Sequence, residues 1–299
     1  MKIKFLLLLL LFSTFLSAEK TTLENINIYS GQPDFAIELA QNLSEDIFLF
    51  QKNVGKYPDF PVNIYIAKDK NEYKRWTGKN SGVIEHSQAF YNSKSNAVYV
   101  RNLKEIKSVT RLRKILLHEY IHAFVRHYWN KVPLWFNEGM AVFFSAELNM
   151  NREINFVKDY ITGKSVPLNQ MKYSYPKHRI NVESFYAKSG LAMKYLFIHK
   201  RNEFYNLWDR AEEGKHFDSA FLLSFRYTAK DFSAFFEEYA KTHFRAEMLL
   251  ASTSIIWGFF PLIFLLVVII KRIRNRRILR KWEAEENSRK GAEIAEGKE

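Results

Sequence analysis

His118, Glu119 and His122 stand close before Glu138 in a stretch rich in apolar and aromatic residues, ILLHEYIHAFVRHYWNKVPLWFNEGMAVFF, residues 115 to 144. Whatever fold this chain adopts has to provide for them, because a buried charge is unfavourable unless it is paired or bound to a cation. Residues four apart leave the same face of a helix, so His118 and His122 point both imidazoles at one place. Pro133 is a helix-start signal, and LWFNEGMAVFF after it sets Glu138 among apolar and aromatic residues. That carboxylate needs a partner.

The first piece has the form H-E-x-x-H, in which two histidines hold zinc and the intervening glutamate, here Glu119, is the general base toward a water activated by the cation. Alone, so short a motif recurs by chance. Glu138 adds to it, since two His and one Glu with a fourth position left open is the donor set of a catalytic zinc site, one ion per chain. The other reading of Glu138 is a carboxylate at a helix N-terminus, stabilised by the helix dipole. His127, five residues beyond His122, is turned away from the motif histidines on a helix and reads as exposed or capping. His86, His178, His199, His216 and His243 have no ligand-like spacing. Cysteine is absent, so a metal here must use nitrogen and oxygen ligands, and an exported domain must fold without disulfides.

The two ends suggest a compartment. MKIKFLLLLLLFSTFLSAEK opens with Lys2 and Lys4, followed by an apolar run and small residues ending at Ala18, the layout of a secretory signal peptide over residues 1–18. LLASTSIIWGFFPLIFLLVVII, Leu249 to Ile270, has no charge and reads as one C-terminal transmembrane helix. The basic cluster after it, Lys271 to Lys281, marks residues 271–299 as a cytoplasmic tail. The expectation is a single-pass protein of the cytoplasmic membrane, with residues 19–248 as its extracytoplasmic part. Of the formal +13, two charges belong to the leader and four to the tail, leaving +7 on that part. No basic stripe interleaved with aromatics accompanies it, which argues against a nucleic-acid partner.

The patterning of residues 19–248 predicts an α+β fold: a small mixed sheet within about 19–109, then a mainly helical part over about 110–248. PDFAIELAQNLSEDIFLFQKNV has a helical rhythm in Phe35, Ile37, Leu39, Leu43, Ile47, Phe48 and Phe50, and PVNIYIAKD alternates as a strand with Val62, Ile64 and Ile66 inward. A helix is expected from Lys70 to Trp76. Strands around HSQAFY and AVYVRN flank NSKSN, which has the composition of a hairpin loop.

The pairing of HEYIH with WFNEGMA resembles the gluzincin metallopeptidases, and the second piece is similar to the W-x-N-E-G-x-A helix of the aminopeptidase N group within the thermolysin-like superfamily. Fifteen residues separate His122 from Glu138, a shorter linker than in aminopeptidase N relatives and more similar to compact bacterial peptidase MA-like domains. The resemblance spans about residues 45 to 240. It implies a zincin lobe in the helical part, with His118, His122 and Glu138 as ligands and Glu119 as catalytic base. It also matches FYAKSGLAMKYLF to the Y-x-K-G segment of aminopeptidases, which puts Tyr186 in the role of hydrogen-bond donor to the oxyanion, Lys188 in step, and Ser189 where that family has glycine. A phenol suits the task because it stabilises developing negative charge without being charged itself. No G-x-M-E-N-like segment is present upstream, so exopeptidase activity is not implied.

The expected function is therefore a membrane-anchored, zinc-dependent metallopeptidase acting on a peptide or protein substrate. The alternative is a non-catalytic, peptidase-like binding or scaffold module at the membrane, which has no need of Glu119. A strand such as AVYVRN would offer an edge on which an extended substrate aligns.

Overall fold

A computed structural model describes residues 19–77, 87–106, 108–161, 163, 165–172, 175, 179–243 and 245–296. The expected signal peptide lies outside them. Two compact units divide the chain, the first ending at Thr242 and the second beginning at His243.

The first unit opens with a hairpin that the sequence patterning does not announce: β1 (Glu19–Leu23) and β2 (Ile26–Ser30), antiparallel, with Glu24 and Asn25 between them. Glu24 takes a positive φ of 48°, where turns of this kind usually have Asn, Asp or Gly. Helix α1 (Pro33–Val54) then returns the chain to β3 (Val62–Ile66), which pairs parallel with β2, Ile26 opposite Val62 and Ile28 opposite Ile64. After α2 (Lys70–Thr77), strands β4 (Ala89–Asn92) and β5 (Ala97–Val100) form the second hairpin. The five strands run β1-β2-β3-β5-β4, a mixed sheet with β5 inside and β4 on the margin. This corrects the expectation for AVYVRN. Its backbone is taken on both sides, by Ile64 opposite Val98 and Ala89 opposite Val100, so the edge belongs to β4.

Strand parity sorts the two faces. Ile26, Ile28, Val62, Ile64, Val98 and Val100 are buried beneath helices, and α1 contributes Ala36, Leu39, Ala40, Leu43, Ile47, Phe50 and Val54 to that core. Ile37 and Phe48, expected on the apolar face of α1, are exposed. On the other face Tyr29, Tyr65, Tyr99 and Phe90 stack ring on ring across four strands, at 4.4, 5.4 and 5.3 Å between centres. Tyr73 and Trp76 of α2 cover the Phe90 end.

Helices follow: α3 (Val109–Tyr128), α4 (Leu134–Phe144), α5 (Met150–Ile161), α6 (Arg179–His199), α7 (Arg201–Glu212), α8 (Phe217–Phe225) and α9 (Ala229–His243). The α3 N-terminus is capped by Ser108 Oγ, which accepts from Arg111 N, and Pro133 stands directly before α4. Trp135, Phe136, Trp208, Phe221 and Phe232 are fully buried at the centre of this bundle. The closest approach is between α4 and α6: a Cβ on Gly139 would stand 2.5 Å from the carbonyl oxygen of Ser189, and one on Gly190 would meet Val142 Cγ1 at 2.9 Å. Lys188, the residue in step with Tyr186 in the aminopeptidase-like segment, is on another face of α6. It is buried against Glu237 (2.6 Å) and the carbonyl of Val166 (2.8 Å), joining α6 to α9.

The α+β class thus stands, but the membrane anchor does not. The second unit is one helix, α10 (Arg245–Glu296), with Pro261 inside it. Among the described residues no helix is long and apolar enough to cross a membrane. The side chains at 249–258 lie outside the description. The localisation built on that span, in the cytoplasmic membrane with the first unit outside, is withdrawn with it.

Candidate metal centre

Helices α3 and α4 bring three of the expected residues together. One ligand-type atom from each of His118, His122 and Glu138 lies within 4.8 Å of the others. Glu138 Oε2 is 3.5 Å from His118 Nε2 and 3.7 Å from His122 Nε2. Both distances are too long for hydrogen bonds. They match the spacing of about 3.3 Å between ligands held at ~2.0–2.1 Å around a tetrahedral ion. The same Oε2 is buried and has no hydrogen-bond partner, a costly state for a carboxylate oxygen unless a cation sits beside it. The residues present therefore fit a single divalent cation.

Glu138 Oε1 is occupied otherwise. The Tyr175 hydroxyl donates a hydrogen bond to it, leaving Oε2 as the oxygen turned toward the histidines. Burial raises the Glu138 carboxyl, but His122, His118 and the Tyr175 hydroxyl outweigh it and hold the group below its ordinary value. At His118 burial lowers the imidazole and the surrounding glutamates more than offset it, carrying it to about 9.

Glu119, the next residue on α3, is also buried, and its Oε2 accepts the backbone N–H of Tyr91 at 2.7 Å. The edge strand β4 and the motif helix meet at this bond. Burial raises the Glu119 carboxyl, and the two imidazoles and the Tyr91 N–H only partly oppose it.

Tyr186 on α6 stands at the same cluster, its ring centre 6.4 Å from that of His118 and 6.4 Å from that of Tyr175. Burial first, then Glu138, Glu119 and Glu147, push the Tyr186 phenol up, so it keeps its proton. His127, His199, His216 and His243 are exposed, while His86 and His178 lie outside the described residues.

Spacing gave no sign of Tyr175, Glu147 or the Tyr91 N–H. Tyr175 lies between Met171 and α6, and Tyr91 contributes only its backbone. Neither leaves a periodic trace in the sequence. Glu147, close after α4, was within reach of inspection as a carboxylate following an apolar helix.

No protein-family model matches the chain, and no curated protein matches it. The likeness to gluzincins accordingly rests on the motifs alone.

Proposed function

We propose that this protein is a zinc metallopeptidase with His118, His122 and Glu138 as ligands and Glu119 as general base. The observation that carries the reading is the buried, unpartnered Glu138 Oε2, turned to two imidazole nitrogens at ligand-like distances beside a second buried carboxylate. A structural ion pair would draw these atoms into hydrogen-bond contact, and a closed structural zinc site would have a fourth protein ligand.

Bound zinc would act as a Lewis acid, lowering the pKa of a water toward ~7. Glu119, with Oε2 held by the Tyr91 N–H, would use its other carboxylate oxygen to take a proton from the attacking water as the water oxygen adds to the peptide carbonyl. The proton then passes to the amide nitrogen as the C–N bond breaks. Tyr186, neutral and proton-bearing, donates to the carbonyl oxygen as it gathers negative charge. Strand β4, the edge of the sheet that meets Glu119 through the Tyr91 N–H, is where an extended peptide would align.

Metal analysis with a peptide-library assay tests the reading. The parent should hold about one zinc per chain, as one His₂Glu site implies, and His118→Ala or His122→Ala should lose it. Glu119→Gln should keep zinc and fold while hydrolysis of a cleaved peptide falls by about 10² to 10⁴. Full zinc in both histidine variants would place the metal elsewhere. Undiminished cleavage by Glu119→Gln would give the lead to the scaffold reading.

A further inference from the structure

The chain leaving α4 turns back toward the histidines. Ala146 takes a left-handed φ of 55°, and the N–H groups of Glu147 and Leu148 both reach the carbonyl of Val142, at 3.1 and 3.2 Å. The turn puts Glu147 behind His118: its Oε1 lies 3.6 Å from His118 Nδ1, a buried nitrogen without a hydrogen-bond partner. Arg152, at the start of α5, holds the other oxygen, Oε2, at 2.8 Å and the Glu147 carbonyl at 3.3 Å through Nη1. Its Nε donates to Glu183 Oε2 at 3.2 Å, and its guanidinium carbon is 5.6 Å from the centre of the Tyr186 ring. One cation thus touches both the carboxylate behind a ligand and the phenol across the site.

We propose that Glu147 and Arg152 are a positioning pair, which fixes the His118 imidazole for metal binding and ties it to the placement of Tyr186. The inference rests on the metal reading above. For Nε2 to present its lone pair to a cation, the imidazole proton must be on Nδ1, and Glu147 is the carboxylate beside that nitrogen. A carboxylate there selects the tautomer, orients the ring and raises its basicity as a ligand. Glu147 needs a counter-charge to stay in so enclosed a place, and the Arg152 fork supplies it in directional form. The cation over Tyr186 restrains that ring with the same side chain. Neither residue touches the reacting atoms.

Zinc affinity of the full-length protein, measured by competition with a chromophoric chelator, is the test, with the visible spectrum of the cobalt(II)-substituted protein and melting of the metal-free protein recorded on each variant. Glu147→Gln and Arg152→Gln should each weaken zinc by about 10- to 100-fold, the usual effect of losing a partner behind a ligand. Both should shift the cobalt bands. Because the two act along one path, the double variant should be no weaker than the weaker single. If Glu147→Gln does not fold, Arg152→Gln carries the test. Parent-like affinity and cobalt spectrum in these variants, with His118→Ala losing zinc, would overturn the pairing and leave the metal reading intact. A lowered melting temperature with unchanged affinity would mean a merely structural role. Retained zinc in His118→Ala would instead overturn the metal reading itself.

Discussion

Tyr175 makes the metal-ligand reading more specific than the motif does. Its hydroxyl holds Glu138 Oε1 and leaves Oε2 toward His118 and His122, which favours one-oxygen binding and an open fourth position. Tyr175→Phe should weaken zinc by about 10- to 100-fold, as losing a hydrogen bond behind a ligand does. Equal affinities in chelator competition would show that the bond does not matter to the metal. Tyr186→Phe should behave differently, keeping zinc while slowing turnover by about 10² or more, the scale of one lost oxyanion donor. Steady-state rates beside zinc content separate the two tyrosines.

At the scale of elements, the junction of α4 and α6 seats the helix that carries Glu138. Gly139 follows Glu138 directly and lets the backbone of α4 lie on that of α6, against the Ser189 carbonyl. The glycine after Glu138 is therefore a packing requirement. Gly139→Ala should destabilise the fold by about 1–3 kcal/mol, because backbone rather than a flexible side chain must yield. Denaturant unfolding will measure it, and a parent-like midpoint would contradict so close a crossing. At the start of α9, Asp231 accepts from Thr228 N and Oγ1, at 3.1 and 2.7 Å. Those hydrogen bonds hold its carboxyl below the ordinary 3.8. A depressed carboxylate contributes stability that is full above its unfolded value and is lost as pH falls through the folded one. The melting difference between the parent and Asp231→Ala should therefore be constant at neutral pH and close as pH drops below 3.8.

For the whole molecule, the division after Thr242 is the relevant boundary. All residues assigned to the candidate centre, and the sheet, α1 and bundle around them, lie in the first unit. A chain of residues 19–242 should unfold in one cooperative step and bind zinc as the full chain does. Loss of zinc or of cooperativity on removing residues 243–299 would show that the second unit is needed to build the first.

Local chemistry was legible in the sequence. The 33–54 helix, the 62–66 strand, the 89–92 and 97–100 hairpin and the helical run after 109 follow from period and turn composition, because each is decided by residues a few positions apart. The shared direction of His118 and His122 follows from helical geometry alone. The β1–β2 hairpin was not legible, since its Glu-Asn turn has no glycine and its strands are only five residues long, β2 being held also by its pairing with β3. Nor was the sheet order, which makes β4 rather than β5 the edge beside Glu119. A count of uncharged residues suggested a membrane span that the described helix does not provide. Tertiary packing alone brought Glu138 to the histidines, Tyr175 to Glu138 and Arg152 between Glu147 and Tyr186. These contacts join positions from 5 to 37 residues apart, and no helical or strand period relates them: the packing of α3 on α4, the crossing of α4 with α6 and the turn at Ala146 set them in space.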